Sequence, residues 1–524
     1  MSDGIAGSAM SNPGRLPGTR PIPRGIILTT SLAVGVAGDL LLRGSSGPGL
    51  NLLLLFGMLA AAVGIVLHRA GIRPALEAAA WMAAGLLLAG LLVVRASPPL
   101  RAMAFLVASA AFALPALRSG AAWLRGCGVG DLAEAIGSAG AHAALGPLRL
   151  AFGRSPVDAG GPEAHKGRDG AGRGWAVVRG LLLALPLLFV FGALFMSADR
   201  VFSDLVTRAF GRVDPEILVS RILVVGGLAW LASGYLAGFV TGTRVRGRFE
   251  PIAFRPSLGI LEIGTVLALL NLLFSAFVLV QLQHLFGGSA RVEVTPGLTY
   301  AEYAREGFVQ LTLAAGLVLP CLLAADWLLR REGPRDARVL RILGSLLLFL
   351  LAVVMASAGQ RVRVYQEAYG LTESRFYGSA FLVWLTLVGA WFAFTVLRGR
   401  RDRFAGAALV SAFSLVATLG LVNPDERIAR SNLARAGVTV ASDSVDATYL
   451  GSLSADAVPT LLKGLPALSP EARCTLAVRL QARWGASMDA DWRSWNRAEV
   501  RARRLVGEAP ADLLSTEGCP GLRS

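Results

Sequence analysis

Apolar runs long enough to cross a bilayer recur along this chain, and they leave few folds open to it. A helix needs roughly 20 mainly apolar residues to span the hydrocarbon core. Only helices and closed barrels satisfy every backbone polar group there. Eleven runs meet the length test: Gly25–Leu42, Leu50–Leu67, Ala75–Val94, Ala102–Leu117, Trp175–Met196, Leu218–Val240, Leu258–Phe286, Phe308–Leu329, Val339–Ala358, Gly378–Leu397 and Phe404–Val422. The fourth is short and carries Pro115. Barrel strands alternate apolar and polar residues; these runs are apolar throughout. The expected fold is therefore all-α, a polytopic transmembrane helical bundle of about eleven spans.

Arginines between the runs alternate between rich and poor connections. Arg15, Arg20 and Arg24 precede the first span, and Arg69 and Arg73 follow the second. Every second connection after that is again rich, ending with Arg398, Arg400, Arg401 and Arg403. The intervening connections are poorer and carry acids such as Asp199, Glu302 and Glu367. By the positive-inside rule the N-terminus is cytoplasmic and the tail after the last span is extracytoplasmic. The formal net charge of +16 suggests nucleic acid on a soluble protein. Here topology accounts for the charge, so no nucleic-acid partner is expected. Gly35-Val36-Ala37 is a small-x-small triplet that a signal peptidase could read. The apolar Leu40–Leu42 extension favours retention of the first span, and the C-terminus stays outside in either case.

Composition shifts divide the chain. Residues 1–24 are Gly-, Pro- and Ser-rich and read as a disordered cytoplasmic tail. A four-span bundle (25–117) is joined to a seven-span bundle (175–422) by a cytoplasmic loop and flexible linker (118–174). In the external segment Ala198–Arg212, an apolar stripe including Val201, Leu205 and Phe210 suggests an interfacial helix. Gly234, Gly238 and Gly242 permit close helix approach. The remainder, 423–524, reads as a small helical extracytoplasmic module. Its starts are Asn423-Pro424-Asp425-Glu426, Ser454 and Ser469-Pro470-Glu471, with a last helix from Asp491 to about Val506. Cys474 and Cys519 both fall there, where a disulfide is permitted but two free thiols serve equally well.

Chemistry is sparsely marked. Phosphate loops, nucleophile elbows, zinc-protease helices and paired-cysteine metal motifs are all missing, and four scattered histidines make no cluster. No catalytic, cofactor or metal residue is assigned, and no cofactor is expected. The candidate external site gathers Tyr300, Glu302, Tyr303, Arg305, Glu306, Arg361, Arg363, Tyr365, Tyr369, Asn423, Asp425 and Asn432. Thr299 and Glu302 form a capping box that sets Glu302 and Glu306 one helical turn apart. An interfacial aromatic belt with exposed ion pairs explains most of these residues; a solute or partner site is the sharper alternative. If they form one platform, Arg305, Arg361 or Arg363 should meet an acid from another segment, such as Glu367, Asp425 or Glu426. Within the membrane, Asn271 and Ser275 mark polar positions, read first as an interhelical hydrogen bond and second as a solute path. Asp326 and Glu262, close to Arg330 and Arg255, read as ion pairs at the span ends.

Four stretches carry a family resemblance: Leu298–Phe308, Tyr369–Thr372, Asn423–Asn432 and Ser454–Pro459. In this order they resemble an uncharacterised bacterial multi-pass membrane family, the domain of unknown function four-one-seven-three, which overlaps four-one-five-three. The resemblance covers roughly 175–510 and implies a bacterial membrane location with many spans. It implies no activity and no catalytic residue. The expected role is a non-enzymatic envelope sensor or assembly component in the bacterial cytoplasmic (inner) membrane. Its expected partners are the lipid bilayer and envelope proteins. A solute transporter or channel is the alternative, and an envelope enzyme the third.

Overall fold

The computed structural model describes residues 24–74, 76–117, 140, 143–147, 215–242, 258–286, 308–400, 403–436, 446–485, 491–510 and 513–514. Ten of its helices are long and apolar enough to cross a membrane. They are α1 (Arg24–Leu42), α2 (Leu50–Ala70), α3 (Leu76–Val94), α4 (Pro98–Leu117), α5 (Pro215–Gly242), α6 (Ile260–Phe286), α7 (Phe308–Leu328), α8 (Pro334–Tyr369), α9 (Glu373–Thr395) and α10 (Phe404–Val422). The expected span at 175–196 and the interfacial segment at 198–212 lie outside the described residues. The protein is a helical multi-pass membrane protein.

Two apolar cores organise the bundle. One joins α6, α7, α8 and α9 around Leu267, Leu322, Leu347, Leu351 and Phe392. The other joins α2, α3, α4 and α10 around Phe56, Leu92, Leu100, Phe112 and Val416. α5 packs against α1 and α2 through Val34, Val63, Leu236 and Phe239. That crossing is close because Gly35 has no side chain: a Cβ there would stand 2.5 Å from the Val225 carbonyl oxygen. Gly234 is approached by Gly146, whose ideal Cβ would lie 3.2 Å from the Gly234 Cα.

The helix ends separate into two faces. On the arginine-rich face, Arg341 donates to the Leu397 carbonyl at 2.8 Å. Arg331 holds Asp326 at 2.6 Å, whereas Arg330 pairs with Glu332 at 2.9 Å. The expected Asp326 partner is thus displaced by one residue. Glu262 accepts the Gly259 amide at 2.7 Å, at its own helix start; its expected partner Arg255 lies outside the described residues.

The opposite face carries the C-terminal helices: α11 (Pro424–Ala436), α12 (Ala447–Ser452), α13 (Val458–Gly464), α14 (Pro470–Trp484) and α15 (Arg497–Gly507). They share a core of Ile428, Leu450, Leu461, Leu465, Leu476, Leu480 and Ala502, which Ala96 of the α3–α4 turn joins. Cys474 is disulfide-bonded; Cys519 lies outside the described residues.

Two helix starts differ from the sequence expectation. Asn423 occupies the left-handed region (φ 56°, ψ 79°) and forms the corner between α10 and α11. Its amide donates to Glu426 at 2.9 Å rather than accepting from the helix. Asparagine is among the few residues that visit this region routinely. The helix expected from Asp491 is broken. Asp491 caps a short 3₁₀ turn, Trp492–Ser494, and Asn496 in extended backbone caps α15.

Candidate functional site

The α3–α4 turn, Arg95-Ala96-Ser97, leads into Pro98-Pro99. Proline at the first helical positions has no amide to donate. The amides of Ala96 and Ser97, just before the prolines, both point at Asp456. Its Oδ2 accepts from Ala96 at 2.6 Å and from Ser97 at 3.2 Å. A carboxylate at a helix N-terminus also meets the favourable end of the helix dipole. Arg95 approaches the other oxygen at 3.5 Å and spends its Nε on the Gly420 carbonyl at 2.8 Å. One turn therefore binds the C-terminal segment and the end of α10 together.

A second carboxyl lies beside the first. Asp425 is fully buried. It accepts the Ser97 hydroxyl at 3.3 Å and the Ser454 amide at 3.2 Å. Burial raises its pKa above the ordinary value, the Asp456 charge adds to the rise, and the Ser454 and Ser97 hydrogen bonds oppose it. Ser97 also shares a hydrogen bond with the Tyr377 hydroxyl at 3.0 Å. The carboxyl of Glu373, at the start of α9, interacts with that of Asp425. The backbone amide of Glu373 donates to the Tyr449 hydroxyl at 2.8 Å. Burial pushes the Tyr449 phenol up to about 12.

Beside this cluster the α8–α9 turn is clasped by α11. Asn432 Oδ1 accepts the Leu371 amide and Nδ2 donates to the Leu371 carbonyl, both at 2.8 Å. The pair imitates one rung of a β-ladder. Gly370 makes it possible: φ is +76°, and a Cβ would stand 2.5 Å from Asn432 Oδ1. Arg435 donates to the Gln366 carbonyl and Arg375 to that of Gly370, each at 2.6 Å.

A third junction reaches α1–α3. The Asn496 amide nitrogen donates to the Leu92 and Arg95 carbonyls at 2.9 and 2.8 Å. Its oxygen accepts from Ala498 and Glu499 at 3.0 and 3.1 Å. One side chain thus serves the end of α3 and the start of α15. Arg493 donates to the carbonyls of Leu40 and Arg43, and Arg101 pairs with Glu499 at 3.0 Å.

These groups are already hydrogen-bonded to one another, so the arrangement is suited to holding segments together. Among the described residues no three His, Cys, Asp or Glu side chains gather as a metal site requires.

Of the sequence candidates, Tyr300, Glu302, Tyr303, Arg305 and Glu306 lie outside the described residues. So does the side chain of Tyr365 on α8. Arg361 is half-buried, while Arg363 and Tyr369 are exposed near the C-terminal end of α8. Asn432 meets the Gly370 turn, Asp425 reaches Glu373 just after it, and Asn423 forms the corner between α10 and α11. Glu426 pairs with Arg430 of its own helix. Asn271 is buried and donates to the Leu267 and Leu343 carbonyls at 2.7 and 3.0 Å, joining α6 to α8. Ser275 sits one turn further along α6, half-buried. Sequence reasoning did not select Ser97, Glu373, Asp456 or Asn496. The Ser97-Pro-Pro helix start and the Ser454-Ala-Asp456 stretch were the available signals.

No curated protein and no solved structure matches the chain. A family model described as a domain of unknown function, DUF4153, matches residues 82–464. The matched region begins before the Arg95–Ser97 turn and ends after Asp456, so it contains both sides of this junction.

Proposed function

For this chain, which belongs to the DUF4153 family, we propose a non-enzymatic role as an envelope sensor or assembly component of the bacterial cytoplasmic membrane. The N-terminus is cytoplasmic and the C-terminal helices are extracytoplasmic. The observation that carries the reading is that one C-terminal module holds the α3–α4 turn through Asp456 and the α8–α9 turn through Asn432, and so grips helix ends from both cores. Such a module is placed to report on, or to fix, the relative position of those cores. The arginine-rich opposite face and the bonded Cys474 support the sidedness, since disulfides persist in oxidising compartments.

Two experiments test this. A reporter active only outside the cytoplasm should work when fused after Ser524 and stay silent when fused near Gly160; the reverse result overturns the topology. Deleting residues 424–524 should abolish the protein's envelope phenotype while α1–α10 still insert.

A second reading, a solute transporter, draws on the Asn271 Oδ1, which is buried without a hydrogen-bond partner among the described residues. Cysteine labelling along α6 separates the two: a water-accessible stripe through Asn271 and Ser275 supports transport, and a dry helix supports the sensor.

A further inference from the structure

We propose that the groove between α8 and α9 binds one acyl chain of an anionic phospholipid, with its headgroup at the face that carries the C-terminal helices. The groove holds about 710 Å³ and runs from Ser345 to Gln366 along α8. At 1.5 Å per residue that is about 32 Å, close to the ~30 Å hydrocarbon thickness. The floor is the apolar core itself, reached at Met355, Leu382 and Leu385. Its width comes from small residues: a Cβ built on Gly359 or Gly389 meets nothing within 4 Å.

Charge is confined to one end, where Arg363 lines the mouth with Gln366 and Ser379; the other polar lining residues, Ser345 and Thr386, are uncharged hydroxyls. A second guanidinium stands beside the mouth: Arg435 of α11 donates to the Gln366 carbonyl at 2.6 Å. Two arginines from two helices thus stand at one end of an apolar slot. That distribution matches a chain with an anionic head. A zwitterionic head would gain less from the two cations, and a second protein helix would not need them.

The test is native mass spectrometry of the full chain, reconstituted in vesicles of phosphatidylglycerol and phosphatidylcholine mixed equally and then extracted into mild detergent. Wild-type protein should retain phosphatidylglycerol over phosphatidylcholine, with a preference of about fivefold for each arginine engaged. Gly389→Leu and Gly359→Leu fill open space and should each lose the bound lipid of both types. Arg363→Gln should keep a bound lipid but lose about fivefold of the headgroup preference. Equal retention of the two lipids by wild type overturns the proposal, as does retention unchanged in both leucine variants. Efficient disulfide formation between Ala390→Cys and a cysteine placed within residues 175–196 would assign the groove to the chain itself. A dimer dispersed by Gly389→Leu would assign it to a second copy. Either outcome also overturns the proposal.

Discussion

The Asp456 carboxylate receives the Ala96 amide at 2.6 Å, across a separation of 360 positions. Replacing Asp456 with Ala leaves the Ala96 and Ser97 amides buried without an acceptor. Each orphaned donor costs about 1–3 kcal/mol. Asp456→Asn keeps an oxygen and should cost less than Asp456→Ala. The measurement is amide exchange across Leu450–Leu465 in the purified protein. Exchange should rise most in the alanine variant; equal protection in all three proteins would show that the carboxylate does not hold the segment.

Asp425 makes docking sensitive to pH. Its pKa is raised in the docked state, chiefly by burial. The docked state therefore binds more protons than the released one between the ordinary value of 3.8 and the raised value. Docking is strongest below the ordinary value, weakens as pH rises through the window, and stays weakened above it. Protease susceptibility of the C-terminal helices should grow with pH over that range. Asp425→Asn should flatten the dependence. Susceptibility that falls with rising pH would contradict the assignment.

Gly370→Ala should damage the α8–α9 clasp. Its positive φ and the 2.5 Å approach to Asn432 both oppose a side chain. A forced residue in such a conformation costs about 1–3 kcal/mol. Gly359→Ala, in helical backbone with open space around it, serves as the control. Thermal unfolding in detergent should lower the midpoint for Gly370→Ala and leave that of Gly359→Ala unchanged or higher.

Asn496 offers a test in which cap quality and docking disagree. Aspartate caps helices as well as asparagine does. At this position, however, the side chain must also donate to the Leu92 and Arg95 carbonyls. Asn496→Asp should therefore destabilise at least as much as Asn496→Ala, by about 2 kcal/mol or more once an unpaired charge faces two carbonyl oxygens. A wild-type melting midpoint for Asn496→Asp would mean that capping alone matters there.

Much of the membrane architecture was legible because bilayer thickness dictates run length, and Leu50–Ala70 or Phe404–Val422 allow no other reading. Asp425 and Asn432 were visible as polar residues in a stretch resembling the family. Their partners were not. Ser97 and Asn496 look like ordinary helix starts, and nothing in a linear sequence states that Asp456 serves a helix start 360 residues away. The break at Trp495-Asn496 escaped for a related reason: only the carbonyls of α3 explain why that asparagine leaves helical backbone. Arg361 and Arg363 drew notice for their charge, yet the charged side chains at the junction are others: Asp456, Asp425 and Arg95.

The separation between Ala96 and Asp456 also has a temporal meaning. Ribosomes add about 5–20 residues per second. The α3–α4 turn therefore waits roughly 20–70 s after its own synthesis before the residue that satisfies its amides exists. During that interval the Ala96 and Ser97 amides lack this acceptor, and any chain that stops short of Asp456 leaves them so. A residue made late thus closes a turn made early, and the two can meet only after the helices between them have been synthesised.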